Sequence, residues 1–561
     1  MKKTGAQVLC EGLIHHGVEK IFGIPGGAIL PLYGTLSEYP ELDHILVRHE
    51  QGASHAADGF SRITGKTGVC FATSGPGATN LITGMATAMM DSSPMIAITG
   101  QVSRPGIGKD SFQEIDITGA SLPVTKHNYL VMNANEIPRV LKEAFIIANT
   151  GRPGPVLIDI TKDAQFEILE NFEYKKCKNI RSYFSVPETD PESLKKASEL
   201  INNAKKPLIV WGQGVILGNA ENEFLNFIEK TGIPAAWTIL GLSAVPTDHP
   251  LNVGMVGMHG NYGPNVLTNE CDVLLAIGMR FDDRVTGNLE SYAKQAKIIH
   301  FEIDPAEVNK NVIADVAILG NVKETLKDLL TLVEENKHEK WVNKFTEFYN
   351  IEFKKVIDKE YNKKVGGLSM AEVIKSVNDN TNGESILVTD VGQHQMVACR
   401  YTKFNSSKSN ITSGGLGTMG FALPAAFGAK IGDPKREVIA VIGDGGFQMT
   451  IQELGTIYQT NAAVKIIILN NNFLGMVRQW QQLFFDKRYA STEMINPDFV
   501  AIAKGYFIES KKVEKREELD KEIKKMIEFN GPYLLEVIIE KEDNVFPMIP
   551  SGSSVSDVRL E

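Results

Sequence analysis

Asp444 stands among glycines in the run Gly443-Asp444-Gly445-Gly446, and Asn470-Asn471-Asn472 follows one helix and one strand later. Each motif closes an apolar run, VIAVI at 438–442 and KIIIL at 465–469, and such runs read as buried strands. Between them Met449, Ile451, Leu454, Ile457 and Tyr458 repeat at helical spacing, so the spacing predicts a helix from Phe447 to Asn461. Strand, glycine turn, helix and strand make a βαβ unit. The turn then meets a helix N-terminus, where free backbone N–H groups and the helix dipole suit a diphosphate. Asp444 alone would repel that anion, so a cation belongs between them. Asn471 leaves the neighbouring strand on the same edge of the sheet. A carboxylate, an amide oxygen and diphosphate oxygens are hard ligands, which suits Mg²⁺. A lone Gly-Asp-Gly turn is equally at home in an ordinary βαβ unit, and it is the asparagines one unit later that point to chemistry.

This pairing resembles the signature of the thiamine-diphosphate enzyme family. The resemblance implies Mg²⁺ held by Asp444, Asn471 and the backbone carbonyl of Phe473, with Gly443, Gly445 and Gly446 around the diphosphate. It also assigns Pro76, Gly392, Gln393, His394, Gly417, Met419 and Met476 to the cofactor. Glu50 ends an expected strand at 45–50, where an isolated carboxylate would ordinarily be solvated. Its surroundings, VRHEQGASHAADG at 47–59, resemble the family's pyrimidine-binding half. There a Glu hydrogen-bonds the pyrimidine ring nitrogen and favours the imino form that deprotonates the thiazolium carbon. The cofactor carries the hard step and the protein positions it. In this family the Glu50 and Asp444 halves come from different subunits, which implies at least a homodimer.

The elements that must hold these residues form an α/β pattern. Strands and helices alternate over 1–170, again over 190–335, and again over 368–545, which predicts three doubly wound parallel-sheet domains. The resemblance implies that the first and third are the two thiamine-diphosphate halves, and that the second is a Rossmann-like, FAD-associated domain. A polar, Pro-bearing linker is expected near 186–191, and a charged stretch at 321–364 reads as helix plus connector. The tail 546–561 reads as an arm closing over a site or partly disordered.

The 561 residues, 43% hydrophobic and 22% charged, are enough for several buried cores. A net charge of −10 without a basic cluster argues against nucleic acid. Cys10, Cys70, Cys177, Cys271 and Cys399 form no CxxC pair, which fits neither a disulfide framework nor a zinc site. No signal peptide or apolar stretch of membrane-spanning length is evident, so a cytoplasmic protein away from membranes is expected.

Further motifs narrow the class. Arg280-Phe281-Asp282-Asp283-Arg284-Val285-Thr286-Gly287 follows an expected strand at 273–277, at an edge where a dinucleotide would lie. Taken alone, two carboxylates between two arginines equally make a self-neutralising surface network. With Gly257-Met258-His259-Gly260 upstream and His300-Phe301-Glu302-Ile303-Asp304-Pro305 downstream, the run resembles the FAD-containing, biosynthetic acetolactate synthase family of catalytic large subunits. The resemblance covers nearly the whole chain. It implies FAD contacts at Met258, His259, Arg280, Asp282, Asp283, Glu302 and Asp304, at Arg152 within GRPGPV, and at Gly212, Gly214 and Gly278. It implies a substrate pocket bordered by Gly27, Phe112, Gln113, Met476 and Trp480, with Arg284 facing the acceptor's carboxylate. Trp480 on its own would equally be core.

The activity implied is transfer: decarboxylation of pyruvate, then ligation of the hydroxyethyl group to pyruvate or 2-ketobutyrate, the first common step of branched-chain amino-acid biosynthesis. A homodimer or homotetramer and a separate small regulatory subunit are implied with it. The alternative is a pyruvate oxidase with the same two cofactors. Three positions depart from the family pattern: Ser103 for a frequent Pro, Glu302 for the usual Asp, and Val397 for a common Trp.

Overall fold

The computed structural model describes residues 2–170, 172–175 and 179–561, so Cys177 lies outside the described residues. A short antiparallel pair joins β1 (Lys3–Thr4) to β8 (Ile168–Leu169). Between them lie β2 (Lys20–Gly23), β3 (Asp43–Leu46), β4 (Gly68–Ala72), β5 (Met95–Gln101), β6 (His127–Val131) and β7 (Pro155–Thr161). These six form one parallel sheet in the order β3-β2-β4-β5-β7-β6. The second sheet holds β9 (Pro207–Trp211), β10 (Ala235–Trp237), β11 (Asn252–Met255), β12 (Val273–Ile277), β13 (Lys297–Glu302) and β14 (Val316–Leu319). Its order is β11-β10-β9-β12-β13-β14, again parallel throughout. The third holds β15 (Ile386–Thr389), β16 (Asn410–Thr412), β17 (Val438–Gly443), β18 (Val464–Asn470), β19 (Glu509–Val513) and β20 (Tyr533–Ile538). It runs β16-β15-β17-β18-β20-β19, all parallel. The first and third sheets therefore share one strand order, although their sequences show no repeat. Each sheet has a point where the winding reverses: β2/β4, β9/β12 and β15/β17. Crevices for ligands open at the carboxyl ends of such strands.

The central strands β4, β5, β9, β12 and β18 are buried along their whole length, as parallel strands covered by helices on both faces must be. The apolar cores do not respect domain limits. One cluster unites Phe22, Ala53 and Ala56 with Phe421, Ala425 and Ile466, and another unites Trp211 and Phe224 with Val373 and Tyr533. The helices Glu50–Thr64 and Ala422–Gly432 meet backbone to backbone at the first of these junctions. A Cβ on Gly428 would lie 1.9 Å from the Ala56 carbonyl oxygen, and one on Gly59 would lie 2.1 Å from that of Ala425. Arg62 is buried there. It donates to Asp58 and Asp91 at 2.8 Å each and to the Thr412 carbonyl at 2.8 Å.

Four expectations change. Glu50 does not end a strand: β3 stops at Leu46, and Glu50 opens the helix Glu50–Thr64, where a carboxylate matches the helix dipole. The glycines after β17 do not form a turn before a continuous helix. The helix Asp444–Met449 begins at Asp444, breaks at Thr450, and resumes as Ile451–Glu453 and Leu454–Thr460. Thr450 donates its hydroxyl to the Gly420 carbonyl at 2.9 Å, a tertiary bond that apolar periodicity could not register. The charged stretch 321–364 is no mere connector, since Trp341 and Phe345 of the helix Glu339–Glu352 are buried and the Trp341 indole donates to the Pro207 carbonyl at 2.8 Å. The tail is an ordered part of the middle domain. Ile549 and Val555 share a core with Phe281 and Tyr292, and the Ile549 N–H donates to the Met258 carbonyl at 2.8 Å.

Val397 is buried on the wall of a cleft of about 300 Å³ that it shares with Leu368, Met370 and Val545.

The helix junction gives a direct stability prediction. Gly428→Ala forces a methyl into the Ala56 carbonyl and should cost about 1–3 kcal/mol or more, the usual range for overpacking. Gly34→Ala, at an exposed position of the helix Leu30–Leu36 where nothing lies within 4 Å of the added carbon, should be neutral or slightly stabilising. Chemical denaturation of both variants against the parent checks the contrast.

Candidate active site

Strand β17 delivers Asp444 and its neighbour β18 delivers Asn471, so the two motif residues lie side by side at one sheet edge. Asp444 is only 1% exposed, and burial pushes its carboxyl up to about 6. Its Oδ2 accepts from the Asn496 amide at 2.6 Å. Asn496 also donates to Oδ1 of Asn470 and of Asn472, each at 3.0 Å, so one side chain ties the aspartate to the asparagine run. Nothing in the stretch around Asn496 marked it in the sequence, because its role depends on a loop folding back. Asn471 is buried, and its Oδ1 accepts from the Phe473 N–H at 3.1 Å. Asn472 takes a left-handed backbone with φ 56°, which an asparagine tolerates.

The glycines keep this edge free of side-chain bulk. A Cβ on Gly446 would lie 2.4 Å from an Asp390 oxygen, and one on Gly443 would lie 2.9 Å from the His394 ring. Asp390 in turn accepts from the Gly420 and Ala422 amides at 3.0 Å each, fixing one end of the glycine-rich loop 413–420. Asp91 of the first domain holds the other end through the Gly414 and Gly415 amides at 3.1 and 2.7 Å. That loop carries Gly417, with φ 69°, and Met419, whose methyl would meet a Cβ on Gly445 at 3.8 Å.

Two buried polar atoms here have no partner, His394 Nε2 and Gln393 Oε1, both on the helix that follows Gly392. Burial holds the His394 imidazole down to about 4, against a hydrogen bond to the Asp390 backbone. Buried polar groups are normally satisfied, so this edge suits a polar ligand beside Asp444. Among the described residues no three His, Cys, Asp or Glu side chains gather as a metal nest.

The first domain builds a second edge. Glu50 is half-buried and accepts from the Asn80 amide at 2.9 Å, while a Cβ on Gly77 would lie 3.3 Å from its other oxygen. The turns after β2 and β4 touch where Gly26 packs on Thr73, leaving Gly27 exposed with open space beside it. Gln113, with φ 61°, lies against Gly75 next to Pro76. Phe112 beside it is 88% exposed. Gln101 Nε2 holds this loop by donating to the Ile115 carbonyl at 2.9 Å and to Asp159 at 2.8 Å. Asp159 also accepts from the Thr99 hydroxyl at 2.6 Å, and burial pushes its carboxyl up to about 7. Sequence reading passed over Asp159, which sits unmarked inside an apolar strand.

In the middle domain the turns after β9 and β12 interlock at the winding reversal. A Cβ on Gly212 would lie 2.4 Å from the Gly278 oxygen, and one on Gly214 would lie 2.6 Å from its Cα. Asp282 caps the turn Asp283–Thr286 by accepting from the Arg284 and Val285 amides at 3.0 and 3.2 Å. Asp283 and Arg284 are exposed and 3.9 Å apart, and Arg280 is half-buried, so the run is no closed ion network. Arg284 also reaches Met258 Sδ at 3.8 Å. Glu302 is half-buried, and desolvation pushes its carboxyl up to about 7 although the Ile303 and Asp304 amides donate to it at 2.8 and 3.1 Å. His259 is buried and held down to about 4 by that burial, with Nδ1 unpartnered. Asp304 caps the turn Pro305–Glu307. Arg152 joins two domains, donating to Ser92 at 2.8 Å and to Glu307 at 3.2 Å.

The helix Gly475–Phe484 is clamped by Arg478, which donates to Asn544 Oδ1 at 2.8 Å, and by Gln479. Met476 and Trp480 are half-buried on it, and the Trp480 ring lies 5.2 Å from that of Phe484. The indole is thus outside the core. The edges bearing Glu50 and Asp444 belong to different sheets of the chain. Cys10, Cys70, Cys271 and Cys399 are buried and unpaired.

Three stretches match thiamine pyrophosphate enzyme families. Residues 3–120 match the N-terminal TPP binding domain, 194–329 the central domain and 390–537 the C-terminal TPP binding domain. Fold and site together define a thiamine pyrophosphate enzyme. The acetolactate synthase large subunit of Buchnera aphidicola subsp. Schizaphis graminum is 44% identical over 99% of this chain and 98% of its own. The isozyme 2 large subunit of Escherichia coli strain K12 is 42% identical over 99% of each. A probable acetolactate synthase large subunit from Methanocaldococcus jannaschii is 44% identical over 99% of this chain and 95% of its own. The chain belongs to the acetolactate synthase large-subunit family. A name of large subunit implies a separate small one. No helix among the described residues is long and apolar enough to cross a membrane.

Two predictions follow from the geometry. Asn496→Ala removes a bond to a charged group and should weaken Mg²⁺-dependent thiamine diphosphate binding roughly 10- to 100-fold, read by fluorescence titration at fixed Mg²⁺. Asp159 binds its proton more tightly folded than unfolded. Its contribution to stability is therefore complete below about pH 4 and is lost as pH rises to about 7. Asp159→Asn should remove that slope, so the variant gains on the parent across this window and by a constant amount above it. Urea unfolding at a series of pH values reads the difference.

Proposed function

We propose that this chain decarboxylates pyruvate and transfers the two-carbon hydroxyethyl unit to pyruvate or 2-ketobutyrate, the first common step of branched-chain amino-acid biosynthesis. Thiamine diphosphate, when bound, supplies the electron sink for the carboxyl carbon's departure and for the new bond. Asp444, Asn471 and the Phe473 carbonyl would hold Mg²⁺. Gly392, Gln393 and His394, with Gly443, Gly445 and Gly446, would line the diphosphate. Glu50 would keep a proton at the pyrimidine ring nitrogen, with Pro76, Gly417, Met419 and Met476 around it. Gly27, Phe112, Gln113 and Trp480 would border the substrates, and Arg284 would pair with the acceptor's carboxylate.

FAD would lie at the β9/β12 crevice, against Gly212, Gly214, Gly278 and the 280–283 run. Arg152, Met258, His259, Glu302 and Asp304 would complete that site. The reaction needs no net redox from the flavin. We take the domains as 1–170, 190–335 and 368–545, with 546–561 as an arm on the middle one. Each active site would join the Glu50 edge of one subunit to the Asp444 edge of another, in a cytoplasmic homodimer or homotetramer with a small regulatory subunit.

The observation that carries this reading is the pair of buried polar side chains at the ends of adjacent strands, Asp444 and Asn471, beside the unpartnered His394 Nε2 and Gln393 Oε1. Family membership narrows it to this reaction.

Purified protein given pyruvate and 2-ketobutyrate without oxygen or another electron acceptor should form acetolactate and acetohydroxybutyrate. Acetate or acetyl phosphate formed only with an acceptor would favour an oxidase instead. Trp480→Leu should lower the share of acetohydroxybutyrate roughly tenfold, within the range one methylene is worth, and leave acetolactate formation in place. An unchanged product ratio would remove Trp480 from the pocket.

A further inference from the structure

The segment that opens at Asp444 also reaches the chain beside Glu50. Glu453 ends the turn Ile451–Glu453 and is 1% exposed. Its two carboxylate oxygens lie 3.2 and 3.3 Å from the Arg48 backbone nitrogen, and the His49 amide also donates to it. The Thr456 hydroxyl adds a bond of 2.6 Å. Every one of these neighbours donates to it, and a carboxyl group offers two oxygens to accept from them all, although burial pushes its titration up. On the other side, a Cβ on Gly52 would lie 2.5 Å from Glu453 Oε1. The start of the helix Glu50–Thr64 thus wraps the carboxylate, with the amides of Arg48 and His49 before Glu50 and Gly52 after it. Arg48 reinforces the contact by donating to the Gly455 carbonyl at 3.2 Å and to Gln459 at 2.7 Å.

We propose that Glu453 is a positioning residue for Glu50. By fixing residues 48, 49 and 52 it sets where the helix begins, and Asn80 then holds the Glu50 carboxyl from the other side. The proposal rests on the reading of Glu50 as the group that keeps the pyrimidine proton. A carboxylate that merely glues two domains would support stability and cofactor affinity without affecting that proton.

The test is hydrogen–deuterium exchange at the thiazolium carbon of thiamine diphosphate bound to the whole enzyme, compared with cofactor affinity and thermal midpoint. Glu453→Gln turns an amide N–H₂ against donors and should slow exchange roughly 10- to 100-fold, the worth of a bond to a charged group. Cofactor affinity and the KM for pyruvate should hold while kcat falls. Gly52→Ala keeps the carboxylate but displaces its flexible end, which folding tolerates, and should slow exchange in the same direction. If Glu453→Gln fails to fold, Gly52→Ala decides. Glu50→Gln is the reference. Slow exchange in Glu50→Gln with parental exchange in both other variants overturns the positioning role. A loss confined to stability or affinity overturns it equally. Parental exchange in Glu50→Gln itself removes the reading of Glu50 on which the proposal stands.

Discussion

The rest of the structure depends on two helices touching where neither has a side chain in the way. Glycine and alanine along Glu50–Thr64 and Ala422–Gly432 let backbone meet backbone, and that contact sets how the first and third sheets face each other. Apolar burial alone would leave such a junction free to slide. Arg62 prevents this, since its guanidinium is satisfied only when Asp58, Asp91 and the Thr412 carbonyl are all in place. Removing one partner of a buried charge leaves the others unpaid for in solvation, which is costly. Through Asp91 the same network reaches the amides of Gly414 and Gly415. The loop near Asp444 is therefore held by a residue of another domain.

Each sheet repeats one solution. Parallel strands send their carboxyl ends to one edge, the winding reverses once, and the two turns at the reversal separate to leave a crevice. Glycines keep the crevice floors bare, and buried polar groups line them. The first and third sheets share even their strand order, with unlike residues at matching places. In one the edge presents an acid on a helix start, and in the other an acid on a helix start beside an amide that follows the adjacent strand.

Much of this was legible in the sequence. Uninterrupted apolar runs bounded by glycine located central strands, with Val273–Ile277 found residue for residue. The Asp444 and Asn471 motifs were set at the ends of neighbouring strands, and the two residues directly follow β17 and β18. What escaped depends on contacts distant in the chain. Thr450 breaks a helix for a bond to Gly420, and Asn496 and Asp159 lie in stretches without pattern. Glu50 was set on a strand because apolar Ile45, Leu46 and Val47 precede it. The small residues after it form a helix only because another helix without bulk lies against them.

The tail from Phe546 carries a consequence for the order in which the molecule is made. Ile549 and Val555 complete a core that otherwise belongs to the middle domain, beside Phe281, Tyr292, Trp341 and Phe345. A chain emerging from the ribosome presents those partners long before it presents the tail. The first domain has its sheet complete by Thr161 and can close early. The middle domain must wait with part of its apolar surface uncovered until the third has been synthesised. Its packing is thus completed only once the third domain and the tail have been made, although it stands second in the sequence.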